Sequence, residues 1–268
     1  MDVSIAGDEA RSVVLRLSRH PDRVATEAKL LATLANLGLP VPDVLAGPAT
    51  DPDVAETCPF TVLSMLPGQD LQRLSLSSPV GLATAKFLVI EAVARLHALT
   101  ATVRNTSVAA ELPSRDLWAE VRAVLDRGGP WPDEPVFRDA VRQLEPILRA
   151  IRTPLVFSNG DYQPGNFLSD GHALTGFVDF ESACFEDPHY GFAKYLVYDM
   201  DPLNDAGLVE HYLAVNGLSQ RDFAPRLAAR CLWTLQREIP ASGGSPGAQR
   251  YCEHVLGLLR EALRMLTR

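Results

Sequence analysis

The sequence predicts an α+β fold, with a small sheet-bearing lobe over residues 1–67 and a larger, mostly helical lobe over 68–268. Three observations carry that reading. Segments rich in β-branched residues come first, amphipathic helical segments dominate the remainder, and one hairpin over 155–181 interrupts the helices.

In chain order, residues 12–17 alternate and are rich in Val and Leu, which reads as a strand. Residues 3–5, turning at Gly7-Asp8, supply its hairpin partner. Leu30, Leu31, Leu34 and Leu37 mark an amphipathic helix over 23–37, stopped by Gly38. Pro40-Val41-Pro42 forces an extended connection. Residues 60–66 form an apolar run without helical period, a buried strand ending at Pro67-Gly68. Ser78-Pro79 opens a helix that runs to about Leu99, with Phe87, Ile90, Val93, Ala94 and His97 on its one amphipathic face. Further helices are predicted over 117–125, 136–151, 190–200, 206–216 and 222–238, with a turn-rich break at 128–132. A final helix over 249–266 is predicted to bury Val255, Leu259, Leu263 and Leu266.

Lys and Arg number 25 against 33 Asp and Glu, a net charge of −8. Such a chain repels nucleic-acid phosphates and anionic membranes and attracts a cationic small molecule. Cys58, Cys184, Cys231 and Cys252 are scattered and form no CxxC pair, which argues against a zinc site or a disulfide scaffold and fits a reducing cytoplasm. The N-terminus lacks a signal-peptide pattern, and no apolar stretch approaches the ~20 residues of a membrane span.

The chemistry-bearing residues gather in the interrupting hairpin. Leu155-Val156-Phe157 leads into Ser158-Asn159-Gly160-Asp161-Tyr162-Gln163-Pro164-Gly165-Asn166, and Asp170-Gly171 is a hairpin turn signal before Gly176-Phe177-Val178-Asp179-Phe180-Glu181. A two-residue turn there sets Asn166 opposite Thr175 and Asp179 opposite Tyr162. Asp161, Asn166 and Asp179 are then predicted to converge at one end of the hairpin. Two carboxylates and an amide oxygen suit Mg²⁺, which prefers oxygen ligands and keeps part of its shell for phosphates. A carboxylate that accepts a hydroxyl proton completes what phosphoryl transfer needs. The Asp161–Asn166 spacing is that of the Asp-x-x-x-x-Asn kinase loop.

The run Asn159 to Asn166 resembles the His-Gly-Asp-x-x-x-x-Asn motif of aminoglycoside phosphotransferases and choline kinases. Val178-Asp179-Phe180-Glu181 with Glu186-Asp187-Pro188 resembles that family's Asp-Trp/Phe-Glu and Asp-Pro segments, Leu96-His97 its Leu-His helix end, and Leu63 to Gly68 its hinge strand. The resemblance implies a protein-kinase-like two-lobed fold and transfer of the ATP γ-phosphate to a hydroxyl of an aminoglycoside-, choline- or sugar-like acceptor. By position it makes Asp161 the catalytic base and Asn166 and Asp179 the Mg²⁺ ligands. It places Arg16 on the α/β phosphates with Glu27 as its partner, and Ser64 and Leu66 at the adenine. Glu181, Glu186 and Asp187 are the candidates for acceptor contact. Glu186 and Asp187, with Asp199 and Asp201, read either as an acidic rim or as a solvated face.

Three departures from the motif set further expectations. Asn159 replaces the usual His and removes a side chain that braces the loop. Arg16 replaces the usual Lys, a planar fork for a point charge. Only twelve residues precede Val13, too few for a strand, a Gly-rich loop and a second strand, so either the true start lies further upstream or the lid over the phosphates is absent. In the latter case weakened ATP binding and a degenerate, pseudokinase-type binding module form the alternative. A metal-dependent hydrolase finds no accompanying His cluster to support it.

Overall fold

The computed structural model describes residues 2–3, 11–18, 21–49, 59–127, 131–239 and 245–267. The elements begin with β1 (Asp2–Val3), β2 (Arg11–Leu17), α1 (Pro21–Asn36), β3 (Val44–Ala49), β4 (Phe60–Ser64) and β5 (Gln69–Asp70). There follow α2 (Leu71–Ser77), α3 (Pro79–Ala98), α4 (Thr100–Arg104), β6 (Ser114–Arg115), α5 (Leu117–Asp126), α6 (Pro135–Ala150) and β7 (Val156–Ser158). The last are β8 (Phe167–Ser169), β9 (Leu174–Phe177), β10 (Cys184–Glu186), α7 (Ala193–Val197), α8 (Leu208–Val215), α9 (Gln220–Glu238) and α10 (Pro246–Thr267).

The chain divides into two compact units, Met1–Pro113 with Phe157–Cys184, and Ser114–Val156 with Phe185–Arg268. These units do not follow the boundary expected at residue 67. The reason lies in β5, which pairs with β8 through Gln69↔Ser169 and Asp70↔Leu168 and so keeps the hairpin and the helices after residue 70 with the N-terminal sheet.

In the first unit, an antiparallel sheet runs in the order β1-β2-β4-β3. The turn predicted at Gly7-Asp8, and the stretch in which a Gly-rich loop was sought, lie outside the described residues. On α1, the residues Val24, Glu27, Leu30, Leu31 and Leu34 share the buried face, so a carboxylate sits among aliphatics. Asp70 caps α2 by accepting the Arg73 amide at 2.9 Å, and Ser78 caps α3 by accepting the Gly81 amide at 3.0 Å.

Two expectations fail here. The face of α3 that is buried carries Ala85, Leu88, Val89, Ala92, Val93 and Leu96, whereas Phe87 is 59% exposed. This helix is apolar almost all round, so periodicity alone does not choose its face. The hairpin register also differs, with Phe167↔Phe177 and Leu168↔Gly176 paired and an irregularity before Ser169↔Leu174. The turn is longer than two residues because the Asp170 carboxylate accepts the amides of both His172 and Ala173 at 2.9 Å, holding a four-residue loop. Asn166 therefore sits against Val178, not Thr175.

In the second unit, α9 is buried along most of its length, with α5, α6, α7 and α10 packed on it. Ser219 and Asp222 form a capping box at its start. On α10 the buried residues are Val255, Leu259 and Ala262, so Ala262 takes the place predicted for Leu263 and Leu266. β6 and β10 pair in parallel through Phe185↔Ser114 and Glu186↔Arg115. Among the described residues, Cys184, Cys231 and Cys252 are free thiols, and no helix is long and apolar enough to cross a membrane.

Candidate active site

β7 delivers the chain into a loop held by its own short side chains. Ser158 Oγ accepts the Gly160 amide at 2.8 Å. Gly160 has φ +77°, and a Cβ there would stand 2.0 Å from the Ser182 carbonyl oxygen, so no other residue fits without displacing backbone. Asn159 is almost wholly buried. Its Oδ1 accepts the Asp161 amide at 3.2 Å, and its Nδ2 donates to the Asp161 carbonyl at 2.9 Å. The loop thus tolerates the loss of the usual His, because Asn159 itself braces it. Both of its bonds fall two residues along, within reach of a short amide.

Asn166 Nδ2 donates to the same Asp161 carbonyl at 3.0 Å, so that oxygen serves two side-chain amides. The Asp161 carboxylate accepts the Gln163 amide at 3.2 Å. The buried Tyr162 places its hydroxyl 2.9 Å from His97 Nε2 at the end of α3. His97 thus reaches a side chain of the loop.

The corrected register brings Asp179 to this place. The Val178 amide donates to the Asn166 carbonyl at 3.0 Å, and Asp179 follows in a left-handed conformation, φ +61°. Two hydrogen bonds, one from the Asn166 side chain to Asp161 and one from the Val178 amide to Asn166, therefore link the segments carrying Asp161, Asn166 and Asp179.

Arg16 on β2 meets three carboxylates. Its Nη2 donates to Asp179 Oδ1 at 2.8 Å and to Glu181 Oε2 at 2.9 Å. Its Nε lies 2.8 Å from Glu27 Oε2, close enough for an ion pair but not aligned as a hydrogen bond. Glu27 Oε1 accepts the Phe180 amide at 2.9 Å, tying α1 to the segment after β9. Burial pushes the Glu27 carboxyl up to about 6, against the opposing pull of Arg16 and the Phe180 amide. Burial alone lowers the Arg16 pKa, but the carboxylates of Glu27, Asp179 and Glu181 more than offset it, and the guanidinium is held above its usual value.

The hinge segment is stitched to the hairpin. Thr175 Oγ1 donates to the Pro67 carbonyl at 2.7 Å, and a Cβ on Gly176 would stand 2.6 Å from Leu66 Cδ1. Ser64 is otherwise engaged: its amide donates to the Asp43 carbonyl at 2.9 Å, and its hydroxyl accepts the Asp43 amide at 2.8 Å. A cavity of about 690 Å³ opens here, lined by Val14, Leu63, Leu66 and Leu168 together with Arg16 and Asp179.

The acidic candidates for acceptor contact do not form an exposed rim. Glu181 is bound to Arg16, with Ser18 Oγ 3.4 Å away. Glu186 and Asp187 are buried, and Asp187 accepts from Arg226 Nε at 3.1 Å and Nη2 at 2.8 Å. Arg226 lies on the buried face of α9, 39 residues from its partner, and no local pattern announces the pair. Asp199 and Asp201 are exposed.

Among the described residues, no three His, Cys, Asp or Glu side chains group as a metal site would require. What the site offers is the Asp179 carboxylate and the Asn166 amide, whose nitrogen is committed to Asp161 and whose oxygen is left as a donor. Three carboxylates around one guanidinium also leave a formal excess of two negative charges when Glu27 is ionised. That set fits a hard divalent cation that takes its remaining ligands from phosphate and water.

Sheet, helices and loop together make a kinase-like fold. The family model of the phosphotransferase enzyme family, APH, matches residues 2–231, and the chain belongs to that family. Among solved structures, the GDP and kanamycin complex of APH(2")-IIia is similar with a TM-score of 0.64 at 19% identity, covering 98% of this chain and 92% of that one. A thermostable mutant of aminoglycoside phosphotransferase APH(4)-Ia, in ternary complex with ADP and hygromycin B, gives 0.67 at 15% identity over 100% and 94%. The GDP complex of wild-type aminoglycoside 2'-phosphotransferase-IIIa gives 0.64 at 18% over 98% and 91%. At these identities the likeness is one of fold. No curated protein matches the chain in sequence.

Proposed function

We propose that this chain transfers the γ-phosphate of ATP to a hydroxyl group of a small molecule of aminoglycoside, choline or sugar type. The observation that carries the reading is the pair of hydrogen bonds joining Asp161, Asn166 and the Val178-Asp179 turn, with Asp179 also lining the 690 Å³ cavity. The Asp161 carboxylate takes the proton of the attacking hydroxyl. Asn166 and Asp179 hold Mg²⁺, which supplies charge neutralisation to the phosphates. Arg16 contacts the α/β phosphates while Glu27 anchors it from behind. Leu66 presents hinge backbone to the adenine, a role in which Ser64 is limited by its bonds to Asp43. Complexes of relatives with GDP and kanamycin, and with ADP and hygromycin B, support a nucleotide in the cavity and an aminoglycoside-like acceptor.

One observation favours a second reading, a pseudokinase-type binding module with weak or no catalysis. Arg16 pairs with Asp179 Oδ1, so one oxygen of the carboxylate proposed to hold the metal ion is already engaged. Incubation with γ-labelled ATP, Mg²⁺ and a panel of hydroxylated amines and sugars separates the two. Label moving to any acceptor faster than the background hydrolysis supports the enzyme. A melting temperature raised by ATP and Mg²⁺ with no label transferred supports the binding module.

A further inference from the structure

The second unit contains a cavity of about 530 Å³, within the range of roughly 300–1,000 Å³ that small-molecule sites occupy. It is bounded by the start of α5, the end of α6 and the chain between α6 and β7, and Trp118, Arg149, Arg152 and Thr153 line it. We infer that this cavity binds a small organic anion, its carboxylate or phosphate group held by Arg149 and Arg152.

The donor inventory points that way. Trp118 Nε1 is sealed from solvent, so the indole contributes its ring and not its N–H to the cavity wall. The Arg149 guanidinium lies 4.8 Å from the Trp118 ring centroid, so cation and indole share one wall. Arg149 spends its Nε on Glu145 at 3.0 Å, and Arg152 spends its Nη1 on the carbonyls of Arg149 and Ile151, so each fork has further N–H groups to offer. The two carboxylates in the wall are already committed. Asp116 caps α5 by accepting the Ala119 amide at 2.8 Å, and Arg226 neutralises Asp187. The groups left to recognise a ligand are donors, and planar guanidinium forks match an oxyanion. Leu117, Leu148 and Leu155 supply apolar contact for the body of such a molecule. The inference does not depend on the phosphotransfer reading, since it uses none of its residues.

Benzoate and phenyl phosphate, with uncharged benzamide as control, test it by calorimetric titration of the full chain. Saturable binding of at least one anion is expected, with benzamide weaker by about tenfold or more. Arg149→Gln and Arg152→Gln change exposed side chains and are expected to weaken binding by a similar factor at unchanged melting temperature. Comparison of the two anions shows whether carboxylate or phosphate is preferred. No saturable binding up to about 10 mM, or binding undiminished by both Arg variants, overturns the proposal and leaves a cavity filled by water only.

Discussion

Asn159 grips both backbone polar groups of Asp161, accepting from its amide at 3.2 Å and donating to its carbonyl at 2.9 Å. A carboxylate that must meet a hydroxyl in line with a phosphate needs its backbone held, and a misplacement of about 1 Å costs on the order of 100-fold in rate. Asn159→Ala is expected to lower kcat by about that factor with little change in the KM for ATP, measured by steady-state kinetics once the acceptor is known. Equal losses in kcat and in ATP affinity contradict a role confined to Asp161.

Gly160 is a test of the loop's geometry apart from its chemistry. Gly160→Ala places a methyl group against the Ser182 carbonyl and forces a left-handed φ on a residue with a side chain. Urea denaturation is expected to show a loss of at least about 2 kcal/mol. A loss within a few tenths of a kcal/mol contradicts the close approach of the two segments.

Glu27 gives a pH dependence of defined sign. Its folded pKa of about 6 lies above the ordinary 4.5, so the folded state holds this proton to higher pH than the unfolded chain does. The resulting stabilisation is full at and below about pH 4.5, falls as pH rises toward 6, and is gone above that, a change of up to ~2 kcal/mol. The stability difference between wild type and Glu27→Gln is expected to fall across that window and stay flat above it. A difference that rises with pH, or does not change, contradicts the assignment.

The Asp187–Arg226 pair is buried on both sides. Arg226→Ala strands a carboxylate in the interior, and a destabilisation of about 3–5 kcal/mol is expected by chemical denaturation. Asp187→Asn in the Arg226→Ala background is expected to recover part of it, because the stranded charge is then gone. Full additivity of the two losses contradicts direct pairing.

Much of the fold was legible because apolar periodicity and punctuation agree: Ser78-Pro79 begins α3, and residues 12–17 and 60–66 hold the strands β2 and β4. The hairpin and its three polar residues were legible from spacing alone. Its register was not, because the side chain of Asp170 lengthens the turn by bonding two amides that a dipeptide signal does not reveal. The Arg16–Glu27 pair was legible only through the family resemblance, which set Glu27 as the partner of Arg16. The clamp by Asn159 could have been found from an Asx residue two positions before Asp161. The Asp187–Arg226 pair had no local signal, since tertiary packing of α9 alone brings its members together.

The central claim is that the Asp161 carboxylate takes the proton in a phosphoryl transfer. Its most direct test is the single-turnover rate of Asp161→Asn, a change that keeps size and the oxygen bonded to the Gln163 amide. A fall of about 10²–10⁴-fold with ATP affinity unchanged is the predicted result. A rate equal to wild type contradicts the claim.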